Sequence, residues 1–142
     1  MQTIPGGRVE DSLRARGHRV TPQRLAIAAV VRELGRHATA EQVYTALAER
    51  MPGVSLPTVY ATLELLEAMG LVRRVATGGG TAVYDPRADE HHHLVCRACG
   101  AIHDVDGAVD PAELLRAARE AGFAPDEAQV VVLGLCAGCR AA

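Results

Sequence analysis

Four cysteines stand in this chain as two pairs of identical spacing, Cys96-Arg-Ala-Cys99 and Cys136-Ala-Gly-Cys139. Two Cys-x-x-Cys knuckles supply four thiolates, the full complement of a closed tetrahedral zinc site, each pair presented by a tight turn. Since 36 residues lie between the knuckles, an ion held by all four would tie together segments distant in sequence. Disulfides fit less well: they belong to oxidising compartments, and the polar, arginine-rich residues before Val20 do not make a secretory signal. A redox motif of the thioredoxin kind uses one pair at a strand–helix junction, not two matched pairs. Four protein ligands leave no open coordination position. The expected zinc at Cys96, Cys99, Cys136 and Cys139 is therefore structural and performs no reaction.

Three consecutive histidines, His91, His92 and His93, precede the first knuckle. If Glu90 to Val95 is extended, alternation puts His91 and His93 on one face and His92 on the other. Two imidazoles spaced in this way can share one metal ion. Asp85 can reach it from the preceding segment and Asp104 from the strand after the knuckle. Ile102-His-Asp-Val-Asp106 alternates as well, so Asp104 and Asp106 share a face and His103 points away from it. The pattern suggests a second, mixed nitrogen and oxygen site. The competing reading is a solvated histidine run in a surface loop. His18, His92 and His103 are read as solvated surface residues.

The elements that must position these groups are of two kinds. A chain of 142 residues that is 49% apolar can bury a core in one domain or two small ones. No apolar run approaches membrane-spanning length, and a cytoplasmic location is expected. The net charge of −2 conceals an asymmetry. Residues 1–84 carry ten Arg against seven acidic residues, and residues 85–142 carry five Arg against ten. A mildly basic first half suits a polyanion, and an acidic second half suits a cation. All fifteen basic residues are arginine, a side chain suited to bidentate phosphate contacts.

The first half reads as helices. Val9 to Arg16 is a short amphipathic stretch ended by Gly17. Thr21-Pro22 places a cap residue before a first-turn proline and opens a helix to about Leu34, with Leu25, Ile27, Ala28, Ala29 and Val31 on its buried face. Gly35-Arg-His37 is a break. Thr39 with Gln42 makes a capping box for a third helix. Ser55 starts a fourth that ends at Gly70, with Val59, Leu63 and Leu66 buried. Thr58, Tyr60, Ala61 and Thr62 then surround its exposed N-terminal end, as suits a helix entering a major groove. Leu71 to Val75, the turn Thr77-Gly-Gly-Gly-Thr81, and Ala82 to Tyr84 read as strand, turn and strand. That hairpin is a wing placing Arg73 and Arg74 at backbone phosphates. Helices plus wing is the winged helix-turn-helix plan, although a small helical domain for protein contacts would share the pattern. The triple glycine lacks the Lys-Ser/Thr of a phosphate loop, and no Ser/His/Asp grouping supports a hydrolase.

Thr21-Pro-Gln-Arg24, Ser55-x-x-Thr-Val-Tyr60-x-Thr-Leu63, the histidine cluster, Cys96-x-x-Cys99 and Cys136-x-x-Cys139 together resemble the ferric-uptake-regulator family of metal-dependent repressors. The resemblance runs from Val9 to Cys139 and is strongest to the peroxide-responsive branch, whose mark is aspartate at 104. It implies an α+β fold: a winged-helix DNA-binding domain over 1–84, a hinge over 85–90, and a small α/β dimerisation and metal-binding domain over 91–142. It implies a regulatory site of His37, Asp85, His91, His93 and Asp104 for Fe(II) or Mn(II), beside the structural zinc. It further implies a homodimer on a palindromic operator, with contacts from Arg24, Ser55, Thr58, Tyr60, Thr62, Arg73 and Arg74. Neither a membrane nor a small organic ligand is expected as a partner.

Two departures from the family pattern stand out. Ala61 follows Tyr60 where relatives commonly carry a base-reading Arg or Asn. No histidine lies between Ala124 and Leu135, so an accessory metal site is not expected. The favoured function is a repressor that senses peroxide through metal-catalysed oxidation of His37 or His91. The alternative is a repressor of the same family reporting iron, manganese, zinc or nickel supply without redox chemistry. A metalloenzyme would need acid/base groups beyond the ligands, which the sequence does not offer.

Overall fold

The computed structural model of the chain describes residues 6–35, 37–75, 77, 81–87, 91–105 and 109–141. They fall into two compact units, Met1–Asp89 and Glu90–Ala142. No helix among the described residues is long and apolar enough to cross a membrane.

The first unit is set by its helix caps. Thr21 is extended, and its hydroxyl accepts the Arg24 N–H at 3.2 Å, so that α2 (Pro22–Leu34) starts on a proline whose missing donor costs nothing there. Gly35 ends α2 in the left-handed region at φ 60°, with its N–H on the Val31 carbonyl. Thr39 and Gln42 exchange side-chain and backbone hydrogen bonds at 3.1 and 2.9 Å, the capping box that opens α3 (Ala40–Ala48). Ser55 caps α4 (Leu56–Ala68) by accepting the Thr58 N–H. With α1 (Gly6–Ala15), these helices converge on one core in which Leu13, Ile27, Val31, Leu47, Leu63 and Leu66 are fully buried. Val30 belongs to it too, beyond the buried face expected for α2. Arg16 donates to the Ala68 and Met69 carbonyls and so ties down the C-terminal end of α4.

Three short strands complete this unit: β1 (Ala38–Thr39), β2 (Arg73–Val75) and β3 (Val83–Asp85), antiparallel in the order β1-β3-β2. The β2–β3 hairpin is the expected wing. Its triple glycine, 78–80, lies outside the described residues, and the Thr77 hydroxyl donates to the Thr81 carbonyl across it at 3.2 Å. β1 was not expected. It pairs Ala38 with Tyr84 and Thr39 with Val83, which turns the break after α2 into a sheet edge. Asp85 is the last residue of β3, while 88–90 of the expected hinge lie outside the described residues.

The second unit is a three-stranded sheet, β5-β4-β6, with β4 (His92–Cys96) in the middle. β5 (Ile102–Val105) returns antiparallel after a turn at Cys99 and Gly100, where φ 76° suits glycine. α5 (Ala112–Glu120) intervenes before β6 (Val131–Gly134), which lies parallel to β4. A parallel neighbour requires such a crossover. α6 (Ala137–Arg140) follows β6.

Candidate metal centres and nucleic-acid interface

The parallel β4–β6 pairing explains how two distant knuckles meet. The register sets Cys96 beside Gly134, and the Gly134 carbonyl accepts the Arg97 N–H at 2.9 Å. Cys136 follows two residues later, with its N–H on the Cys96 sulfur at 3.4 Å. The four sulfurs then lie within 4.8 Å of one another, and Cys99 Sγ is 3.8 Å from Cys136 Sγ. A disulfide needs about 2.05 Å, so these are four free thiols. A tetrahedron with metal–sulfur arms of about 2.3 Å has edges of about 3.8 Å. The donor set fits zinc.

Its electrostatics point the same way. Backbone N–H groups aimed at its sulfur, first that of Cys136, hold the Cys96 thiol down to about 6. Hydrogen bonding with the sulfurs of Cys136, Cys99 and Cys96 pushes Cys139 up to about 12. Four sulfurs this close cannot all carry charge unaided, and a divalent cation removes that conflict.

The imidazoles and carboxylates form two groups, one in each unit. In the first, the β1–β3 register continues to place His37 beside Asp85, with Nε2 3.2 Å from Oδ2. The other carboxylate oxygen accepts the Arg87 N–H at 2.8 Å, which fixes the orientation of this buried side chain. In the second unit His93 is the register partner of Asp104. The Nε2 atoms of His91 and His93 each lie 3.4 Å from Asp104 Oδ1, and the two rings meet edge-on with centroids 4.6 Å apart. Donors sharing a first-row cation at about 2.1 Å stand roughly 3.0–3.4 Å apart. Each group is therefore spaced to chelate. Asp106 and Glu90 lie outside the described residues.

His92 is not a solvated residue. It is buried, and its Nδ1 accepts the Val130 N–H at 3.0 Å. Leu94 on the same face of β4 is exposed, so it is the bond to Val130, just before β6, that holds the His92 ring against the protein. His18 and His103 are exposed as expected.

On α4, Ser55 and Ala61 are exposed and Thr58 and Tyr60 half-buried, whereas Thr62 is buried. Thr62 stands three residues after Val59 and four before Leu66, so helical spacing places it on the core face. Thr62 nevertheless lines the open groove beside this helix. Ser55 and Thr58 hydroxyls lie 2.9 Å apart at the helix start. An open groove of about 700 Å³ beside this helix is lined by Arg19, Gln23, Arg24, Thr58 and Ala61, and the Arg24 guanidinium donates to the Arg19 carbonyl. In the wing Arg74 is exposed, but Arg73 is half-buried in register with Asp85. Adjacent strand residues face opposite ways, and the more exposed side is that of Arg74. Arg74 is the phosphate candidate.

The model of the ferric uptake regulator family matches residues 15–133. The chain belongs to the ferric uptake regulator family. Its similarity to the transcriptional regulator FurA of Mycobacterium tuberculosis is 42% identity over 140 residues, 98% of this chain and 93% of the relative. The peroxide operon regulator of Bacillus subtilis is 33% identical over 130 residues, 91% of this chain and 89% of the relative. Among solved structures, the ferric uptake regulator of Pseudomonas aeruginosa with manganese superposes with a TM-score of 0.69 at 35% identity, over 91% of this chain and 98% of that one. In a member of this family the first unit is the DNA-binding domain and the second the dimerisation domain. β1 is the site-forming feature not evident from the sequence. The only signal for β1 was that Ala38 and Thr39 lie between two caps, too short a run to show a period.

Proposed function

We propose that the protein is a cytoplasmic, metal-dependent transcriptional repressor that binds a palindromic operator as a homodimer and reports the supply of a divalent metal. The observation that carries this reading is the pair of chelating groups, His37 with Asp85 and His91 and His93 with Asp104, at 3.2–3.4 Å. The proposed regulatory site unites all five residues on one cation. Three neutral imidazoles and two carboxylates suit Fe(II) or Mn(II), which supplies the charge that allows Asp85 and Asp104 to approach each other. His37 then holds the break between α2 and β1 against the ligands of the second unit. That link fixes the separation of the two recognition helices in the dimer. The ion must bind this closed form more tightly than the open one, or it shifts nothing.

The other assignments follow from placement. Cys96, Cys99, Cys136 and Cys139 hold zinc for structure alone. Leu94, Val132 and Leu135 are exposed and line one apolar surface, on which a second copy packs. Ser55, Thr58 and Tyr60 at the start of α4, together with Arg24 and Arg74, contact DNA. No small organic ligand takes part.

Peroxide sensing is a second reading of the same site. It is favoured by Asp104, the residue that marks the peroxide-responsive branch and stands equidistant from His91 and His93. In that case bound Fe(II) supplies the one-electron chemistry, and His37 or His91 takes up one oxygen atom. Metal supply stands first because the relative named FurA matches at 42% identity against 33% for the peroxide operon regulator.

Mobility-shift assays on a duplex selected from a random pool, with Fe(II) or Mn(II), before and after peroxide, test both. The expected result is metal-dependent binding that survives peroxide in either metal form. Loss of binding in the Fe(II) form alone, with one oxygen on His37 or His91 by peptide mass spectrometry, establishes the second reading instead. Binding indifferent to metal overturns both.

A further inference from the structure

The Tyr60 hydroxyl does not stand free at the start of the recognition helix. It donates to Glu41 Oε1 at 2.5 Å. Glu41 lies in the first turn of α3, two residues after its cap Thr39, where the positive end of the helix dipole favours a carboxylate. Tyr60 is half-buried and packs its ring against the core. The contact spans 19 residues and joins the two helices of the helix-turn-helix.

A phenolic oxygen has one proton to give and lone pairs with which to accept. We propose that Glu41 is a specificity-determining residue: by taking the single proton of Tyr60, it leaves the phenolic oxygen to face DNA as an acceptor alone. This rests on the DNA-binding reading above. Phosphate oxygens are acceptors, so Tyr60 held in this way cannot clamp the backbone. In the major groove the complementary donors are the amino groups of adenine and cytosine, whereas thymine O4 and guanine O6 and N7 are acceptors. Glu41 therefore converts an undiscriminating hydroxyl into a reader of base amino groups. It also sets a negative charge beside the groove, which discourages approach of phosphate to the same spot. The hydrogen bond holds the Glu41 carboxyl below its usual range and the Tyr60 phenol above its own, so each keeps its role near neutral pH. Glu41 touches no DNA in this scheme. It is a positioning residue acting through Tyr60.

The test uses full-length, Mn(II)-loaded protein: native, Glu41→Ala, Glu41→Gln, Tyr60→Phe and the Glu41→Ala/Tyr60→Phe double variant. Each is used to select from a randomised duplex library. Affinities are then measured on the native-selected duplex and its single-base-pair substitutions. The expected result for Glu41→Ala is loss of discrimination at one base pair per half-site by about threefold to tenfold, one hydrogen bond's worth. Sequences offering acceptors there should be enriched. Glu41→Gln, which keeps a carbonyl acceptor, should retain native preference, and Glu41→Ala should change no preference once Tyr60 is Phe.

The proposal is overturned if Glu41→Ala selects the native sequences with native discrimination. It is equally overturned if Glu41→Ala shifts preference as much in the Tyr60→Phe background, because Glu41 then acts by charge alone. Native protein that enriches no sequence would overturn the DNA-binding reading itself, a result distinct from the other two.

Discussion

The two units of this chain are held together by different physics. In the first, four helices turn their apolar faces onto a common centre, and Leu13, Ile27, Leu47, Leu63 and Leu66 are removed from water entirely. At about 25 cal/mol per Å² of apolar surface, such a core stabilises a small domain unaided. In the second unit Val95 and Cys96 are the only buried apolar side chains among the described residues, and the other buried ones are His91, His92 and His93. α5 buries none of its residues, and Leu114, Phe123, Val132 and Leu133 stand exposed. The interior that a core would occupy holds imidazoles and a thiol. A unit of that kind needs a cross-link and a partner. The lesson is one of division of labour: the first unit is stable as it stands, and the second is conditional.

That contrast can be broken most severely at the thiolates. Cys96→Ser, or chelation of the proposed zinc, should remove binding on the order of 10–16 kcal/mol. Amide hydrogen exchange should then show β4, β5 and β6 losing protection while α2, α3 and α4 keep theirs. Equal loss in both units would show that they are not independently stabilised. The converse change is Leu63→Ala, which should cost roughly 2–5 kcal/mol and loosen the first unit alone, leaving one zinc per chain by elemental analysis. Thr39→Ala removes the capping box at the start of α3 and should lower stability by about 1 kcal/mol, as read from denaturant midpoints. Smallest in stability is Arg74→Ala, expected to stay within about 0.5 kcal/mol. It should nonetheless reduce the slope of log affinity against log salt by about one. An unchanged slope would move the wing away from the DNA backbone.

Much of this contrast was legible in the sequence, and the exceptions share a cause. Thr21, Gly35, Thr39 and Ser55 act through bonds spanning a few residues, so the helix ends were readable to within a turn. The matched knuckles announced a four-sulfur cluster because thiolate spacing is itself local. Pairing between distant strands is not local. β1 is two residues long, carries no periodicity, and exists because β3 offers it an edge. That pairing sets His37 beside Asp85. His92 is buried rather than solvated because its ring accepts the N–H of Val130, a partner 38 residues away that period-two alternation cannot show. Thr62 is buried rather than exposed because its spacing from Val59 and Leu66 puts it on the core face, though it still lines the groove. Arg73 and Arg74 share a charge but, as neighbours in β2, face opposite ways and differ in exposure.

The central claim is that one ion at His37, Asp85, His91, His93 and Asp104 couples the conditional unit to the stable one. It is tested most directly by titrating native and His37→Ala protein with Mn(II) in the presence of a fluorescent operator duplex. Bound manganese is followed by electron paramagnetic resonance and DNA binding by anisotropy in the same samples. The account predicts that both proteins take up Mn(II) and retain their zinc and dimeric state. Duplex affinity should rise with occupancy by at least about fivefold in native protein and not at all in His37→Ala. A His37→Ala protein whose DNA affinity rises with manganese as the native protein's does would contradict it.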